Sequence, residues 1–121
     1  MQTFQVGATV GPYSAAKRIG NTLFVSGQIG INPETKTLAT GFADQARQAL
    51  RNLGNILRAA GTDYAHVAKC NCFLTEQTDL AQMNEIYKEF FVSDFPARAA
   101  VVVKGLPAGA IFEIECVAYC P

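Results

Sequence analysis

The sequence predicts an α+β domain, with one mixed sheet and two helices laid on one of its faces. Hydrophobic periods of two and of three to four follow one another in the order strands, helix, strand, helix, strands. Half of the residues are hydrophobic and 17% are charged, which supplies a core and argues against disorder. A length of 121 residues suits one domain, 1–121, burying roughly two-thirds of the surface its unfolded chain exposes. No repeat, linker or low-complexity segment interrupts it.

The elements follow in order. Phe4, Val6, Ala8 and Val10 alternate, so Thr3 to Val10 reads as a first strand. Gly11-Pro12 ends it, because proline fixes φ and has no N–H for a ladder. Tyr13 follows in a loop or short strand, and Ile19-Gly20-Asn21 reads as a turn. Leu23–Ile31 is a strong strand whose Gly27 and Gly30 mark a bulge or a close backbone approach. Asn32–Thr37 is an exposed turn. Phe42–Ala60 is the first helix, with Ala46, Ala49, Leu50, Leu53, Leu57 and Ala60 on one face and Gly61 as its stop. Gly54 inside it costs about 1 kcal/mol relative to alanine. A close helix–sheet approach would explain it.

His66–Thr75 is the next strand, with Ala68, Cys70, Cys72 and Leu74 on one face and Val67, Lys69, Asn71 and Phe73 on the other. Asp79 fits an N-cap with Gln82 as its capping-box partner. The second helix runs to about Val92, with Leu80, Met83, Ile86, Tyr87, Phe90 and Phe91 on its apolar side, and Asp94-Phe95-Pro96 breaks it. Phe95 to Tyr119 then reads as a hairpin of two apolar strands around a Gly/Pro turn.

That last stretch carries too much apolar surface for one chain. Phe112, Ile114, Cys116 and Ala118 form a core face, yet the alternate positions include Ile111, Val117 and Tyr119. The strand through Val101 and Val103 is apolar on both sides as well. Strands apolar on both faces are covered on both faces. Two helices suffice for one face, so other copies of the chain are expected on the second, making a homo-oligomer.

Composition excludes several functions. Ten basic residues balance ten acidic ones, and no basic cluster exceeds Lys17-Arg18, which argues against nucleic-acid binding. The longest aliphatic run, Ala99–Val103, is far short of a membrane span. The first 20 residues lack the basic start and apolar stretch of a signal peptide, pointing to the cytosol. Cys70, Cys72, Cys116 and Cys120 are then thiols. Their spacing matches no zinc ribbon or finger, and they read as small core hydrophobes. No metal site is expected. With His66 as the only histidine and no GxSxG elbow, a serine triad has no support. Phosphate-cradling glycine loops are missing too.

One constellation could carry chemistry. Arg98 opens one arm of the hairpin, and Glu113 and Glu115 sit in the other, so they can approach across it or across a subunit boundary. A guanidinium binds a carboxylate by two parallel hydrogen bonds. A carboxyl in a partly dry site can shuttle protons to and from water. Together they describe a site for a small substrate bearing a carboxylate; the competing reading is a structural ion pair at a strand edge. Tyr13 either donates a phenol hydrogen bond into such a site or packs half-buried. Asn84, at the margin of the second helix's apolar stripe, either satisfies a backbone group or faces a ligand.

Several motifs in the same order resemble one family. Pro96-Ala97-Arg98, an aliphatic run, Leu106-Pro107 and Glu113-Ile114-Glu115 resemble the C-terminal signature of the RidA (YjgF/YER/UK) family. Gly11-Pro12-Tyr13-Ser14, Val25-Ser26-Gly27-Gln28-Ile29, Gln45-Ala46-Arg47-Gln48-Ala49-Leu50 and Met83-Asn84-Glu85-Ile86-Tyr87-Lys88-Glu89-Phe90-Phe91 extend the resemblance over nearly the whole chain. The resemblance implies a chorismate-mutase-like fold and a trimer with a central β-barrel, its sites lying between subunits. It implies hydrolysis of reactive 2-enamino/2-imino acids, such as 2-iminobutanoate and 2-iminopropanoate, to 2-keto acids and ammonia, without cofactor or metal. By position it makes Arg98 the carboxylate-binding residue, Glu113 the acid that activates water, and Tyr13 a site tyrosine. It places Gly27 and Asn84 along the cleft. Ala100 stands where many members carry cysteine, which leaves only a backbone role there. Phe112 replaces a more usual aliphatic residue. Two other functions stay open: a non-catalytic sensor or regulator binding small acids in the same cleft, and an RNA-acting inhibitor of translation.

Overall fold

The computed structural model describes every residue except 8 and 10. Strand β1 (Gln2–Phe4) pairs with β2 (Ala16–Ile19), which pairs with β3 (Thr22–Ile29). Helix α1 (Phe42–Ala59) leads to β4 (Val67–Leu74), helix α2 (Leu80–Phe90), β5 (Ala97–Val102) and β6 (Phe112–Tyr119). The six strands form one mixed sheet in the order β1-β2-β3-β6-β4-β5. The expected α+β class is what the chain adopts. The expected first strand is shorter than its alternation suggested, and its Ala8 and Val10 lie outside the described residues. The pattern reading missed β2, whose sequence Ala-Lys-Arg-Ile carries no period-two signal.

The core lies between the helices and one sheet face. From α1 come Phe42, Ala46, Ala49, Leu50, Leu53, Ile56 and Leu57, all buried as the three-to-four spacing predicts. From β6 come Phe112, Ile114, Cys116 and Ala118, also buried. Phe42 meets Phe112 edge-on at 5.8 Å. Gln45 is buried among these apolar groups because its Oε1 accepts the Ile111 backbone N–H at 2.9 Å. At Gly30 a methyl group would stand 2.5 Å from the Gln45 carbonyl oxygen, so α1 passes close over the end of β3.

Four expectations need correction. First, residues 95–119 are not a hairpin. β4 lies between β5 and β6, running parallel to β5 and antiparallel to β6. Parallel neighbours need a crossover, and α2 supplies it. Second, the core face of β4 changes parity. Its register with β6 shifts between Val67 and Lys69, so Val67 is buried and Ala68 exposed. A bulge inserts one residue and moves later side chains to the other face. Third, Asp79 makes no capping bond. It ends a 3-10 turn, Gln77–Asp79, and the Leu80 N–H already bonds to the Gln77 carbonyl. Helix α2 also stops at Phe90, because Phe91 is extended. Fourth, Gly54 faces Tyr64 and not the sheet. The Tyr64 hydroxyl donates to the Leu50 carbonyl at 2.6 Å and occupies the space a Cβ would need.

Candidate active site

The residues singled out from sequence fall into two groups. Registers across the sheet decide which. Arg98 is level with Cys70, which is level with the buried Cys116, so Arg98 emerges on the helix side. Glu113 is level with Phe73, which is level with Val101, and emerges on the opposite side. With β4 between them, their strands are about 10 Å apart. Within one chain the arginine and the glutamates do not meet, contrary to the hairpin reading. An ion pair between them at a strand edge is excluded for the same reason.

The first group lines a cleft of about 270 Å³ that includes Tyr13, Gly27, Gln28, Ile29, Asn52 and Glu113. Gly27 sits where the register of β3 with β6 shifts, between Val25 and Gln28. The predicted bulge lies there; the close backbone approach is at Gly30, and what approaches Gly27 is a side chain. A methyl at 27 would lie 2.7 Å from the Glu113 Oε2, so the missing side chain makes room for that carboxylate. Burial raises the Glu113 pKa, and the negative charge of Glu115 adds to the effect. Glu115 itself accepts a hydrogen bond from Asn71 Nδ2 at 3.2 Å. Tyr13 is 43% exposed and stands over Gly11, its backbone N–H bonded to the Gly11 carbonyl at 2.9 Å. Asn52 holds the end of β3, donating to the carbonyls of Ile29 and Ile31.

The second group lines a more open cleft of about 480 Å³ formed by Asn84, Tyr87, Lys88, Phe95, Pro96 and Arg98. Here α2 and the edge strand β5 meet. The Asn84 Oδ1 is buried without a hydrogen-bond partner among the described residues. It therefore satisfies no backbone group among the described residues. Ala100 lies two residues along from Arg98 on the same side, level with Cys72 and packed against the core. Tyr87 was not singled out from sequence, although it lies three residues from Asn84 on one helix face. Its ring underlies the Arg98 guanidinium at 4.9 Å.

The remaining candidates behave as core. Cys70, Cys72, Cys116 and Cys120 are buried free thiols. Among the described residues no group of three or more His, Cys, Asp or Glu is placed to hold a metal ion. No helix among them is long and apolar enough to cross a membrane.

Comparison with known proteins fits this fold. A model of the endoribonuclease L-PSP family matches residues 5–120. The chain belongs to this family, the one that includes RidA. A human 2-iminobutanoate/2-iminopropanoate deaminase is 45% identical over 98% of this chain and 87% of its own length. The crystal structure of RidA from an Antarctic Psychrobacter superposes with a TM-score of 0.96, at 43% identity, covering 98% of this chain and 99% of that one. The Escherichia coli protein TdcF, crystallised with bound serine, gives a TM-score of 0.90 at 36% identity, covering 95% of this chain and 93% of that one. The motifs at residues 11–14, 25–29, 83–91 and 96–115 thus mark a RidA-type fold.

Proposed function

We propose that this chain is a 2-iminobutanoate/2-iminopropanoate deaminase that works as a homotrimer, its sites formed between copies. The observation that carries the reading is the division of the site residues. Arg98 and Asn84 open one cleft; Tyr13, Gly27 and Glu113 open another, and Glu113 emerges on the side of the sheet opposite Arg98. Each cleft holds half of what a small carboxylate-bearing imine requires. Bringing the Arg98 cleft of one copy against the Glu113 cleft of the next completes the set. The exposed apolar residues Phe24, Val101 and Tyr119 emerge on the side of the sheet opposite the helices and supply the contact surface. The deaminase relatives support the substrate class.

The chemistry follows from these groups. Arg98 binds the substrate carboxylate through its forked N–H groups, and the Ala100 backbone adjoins it. The protonated imine carbon is already electrophilic, so no covalent intermediate with the protein is needed. Ionised Glu113 accepts a proton from water as the water oxygen bonds to that carbon, giving a carbinolamine. It returns the proton to nitrogen; as the C–N bond breaks Glu113 takes the carbinolamine hydroxyl proton, the 2-keto acid and ammonia leave, and that proton passes to the ammonia, restoring the carboxylate. A carboxyl whose pKa is raised by burial is a better proton acceptor than an ordinary glutamate. Tyr13 orients the water or the substrate with its phenol, and Gly27 keeps the space beside Glu113 open. The reading includes a cytosolic location, in which four free thiols stay reduced, and no nucleic-acid or membrane partner. A second reading, an RNA-acting role, rests on the family's description and runs against the balanced charge; steep salt dependence of RNA binding would identify it.

Coupling a threonine dehydratase to the protein and following loss of the imine tests the function. Wild type should accelerate that loss. Arg98→Ala should abolish the acceleration while sedimentation equilibrium still reports a trimer. Undiminished kcat/KM in Arg98→Ala, or a stable monomer at micromolar concentration, would overturn the reading.

A further inference from the structure

Arg98 forms no ion pair among the described residues. What it touches is a ring: its guanidinium carbon lies 4.9 Å from the centre of Tyr87. Tyr87 is buried and stacks on Phe91 with centroids 4.5 Å apart at 30°. Phe91 meets Tyr64 edge-on at 5.4 Å, and the Tyr64 hydroxyl is anchored to the Leu50 carbonyl of α1. A line of three rings therefore connects the guanidinium to the interior of the first helix. The Tyr87 hydroxyl is buried beside the Cys70 thiol and makes no hydrogen bond to this line among the described residues.

We infer that Tyr87 is a positioning residue for Arg98, its ring face holding the guanidinium so that the N–H fork is presented to the substrate carboxylate. The inference rests on the function proposed above and names a determinant of its carboxylate subsite. Long arginine side chains carry much rotamer entropy, and a planar fork binds a carboxylate well only when it is held in orientation. On an edge strand with no acidic partner, the negative face of an aromatic ring supplies that hold. The role belongs to the ring and not to the hydroxyl.

The test uses the whole protein with 2-oxobutanoate, the keto acid product, as the probe in titration calorimetry. Tyr87→Phe keeps the ring and should bind within about twofold of wild type. Tyr87→Leu removes it and should bind on the order of tenfold more weakly, the scale of a partly desolvated cation–π contact. In an Arg98→Ala background Tyr87→Leu should add no further loss. Because leucine at a buried site disturbs packing, pentafluorophenylalanine at position 87 provides a second variant, keeping the shape of a phenylalanine while reversing the charge of its face. It should weaken binding as leucine does. NMR gives a readout independent of ligand: the Arg98 Nε–H resonance should be shifted by the ring current in wild type and Tyr87→Phe, and unshifted in Tyr87→Leu. Full affinity in the leucine and fluorinated variants would overturn the inference, as would an equal loss in the Arg98→Ala background. A wild type that binds keto acid through a Tyr87-held Arg98 yet hydrolyses no imine would sink the functional reading alone.

Discussion

Gly27 and Glu113 are so close that a methyl group on residue 27 would stand 2.7 Å from the Glu113 Oε2. The glutamate end is flexible, so Gly27→Ala would displace the carboxylate more readily than it would damage the fold. Misplacing a catalytic group by about 1 Å can cost on the order of 10²-fold in rate. Gly27→Ala should therefore lower kcat/KM by about that factor and stability by less than about 1 kcal/mol. Imine-loss kinetics beside thermal melts would check it. A variant that loses stability and activity together in proportion would contradict the claim.

The Glu113 pKa is raised first by burial and then by Glu115, which gives pH dependence a sign. Water activation needs the ionised carboxylate. Activity should fall as pH drops through the raised pKa, at a higher pH than an ordinary glutamate would set. Glu115→Gln removes the neighbouring charge and should move the acid limb of kcat/KM downward. Glu113→Gln should remove the limb and reduce kcat/KM by about 10²- to 10⁴-fold. Stability carries the linked sign. The folded state holds the Glu113 proton more tightly than the unfolded chain does. That stabilisation is full below the unfolded pKa and lost as pH rises through the folded one. Glu113→Gln should thus be at least as stable as wild type at neutral pH, by denaturant titration.

Much of this was legible in the sequence because periodicity reports faces. The buried face of α1, the even positions of β6, the bulge at Gly27 and the close backbone approach at Gly30 all follow from spacing and residue type. Pairing partners did not, since nothing local records them. Two apolar strands joined across Gly105 and Pro107 look like a hairpin, and only the crossover through α2 places β4 between them. That one error put Arg98 and Glu113 together within a chain. The chemistry of the site residues could be read, and an approach across a subunit boundary could be entertained; which residue belongs to which cleft could not. The bulge beyond Val67 escaped for a similar reason, because a single inserted residue reverses parity without altering composition.

Gly54 offers a test of packing against propensity. In an open helix, Gly→Ala gains about 1 kcal/mol. Here the Tyr64 hydroxyl, bonded to the Leu50 carbonyl, fills the space. Gly54→Ala should destabilise the protein by about 1–3 kcal/mol, the cost of overpacking a buried site. Tyr64→Ala creates a cavity of its own, but adding Gly54→Ala to it should cost nothing further. Chemical denaturation of the four members of this cycle gives the coupling directly. Additive losses would show that Tyr64 is not what keeps residue 54 a glycine.

The cysteines make the last prediction. Cys70 and Cys116 are level on adjacent strands, Cys72 lies two residues on, and Cys120 rests against the Ala60 carbonyl. Burial pushes the Cys70 thiol up to about 11 and the Cys72 thiol up to about 12, and raises Cys116 further still. The thiolate is the reactive form, so a raised pKa and an inaccessible sulfur act in the same direction. At neutral pH an aromatic disulfide reagent should find no rapidly reacting thiol in the native protein. All four should react once it is unfolded. The slow native reaction should then follow the opening equilibrium of the fold, accelerating in sub-denaturing urea. A fast native reaction at Cys70 or Cys116 would contradict their place in the core, since both lie on the sheet face that α1 and α2 cover.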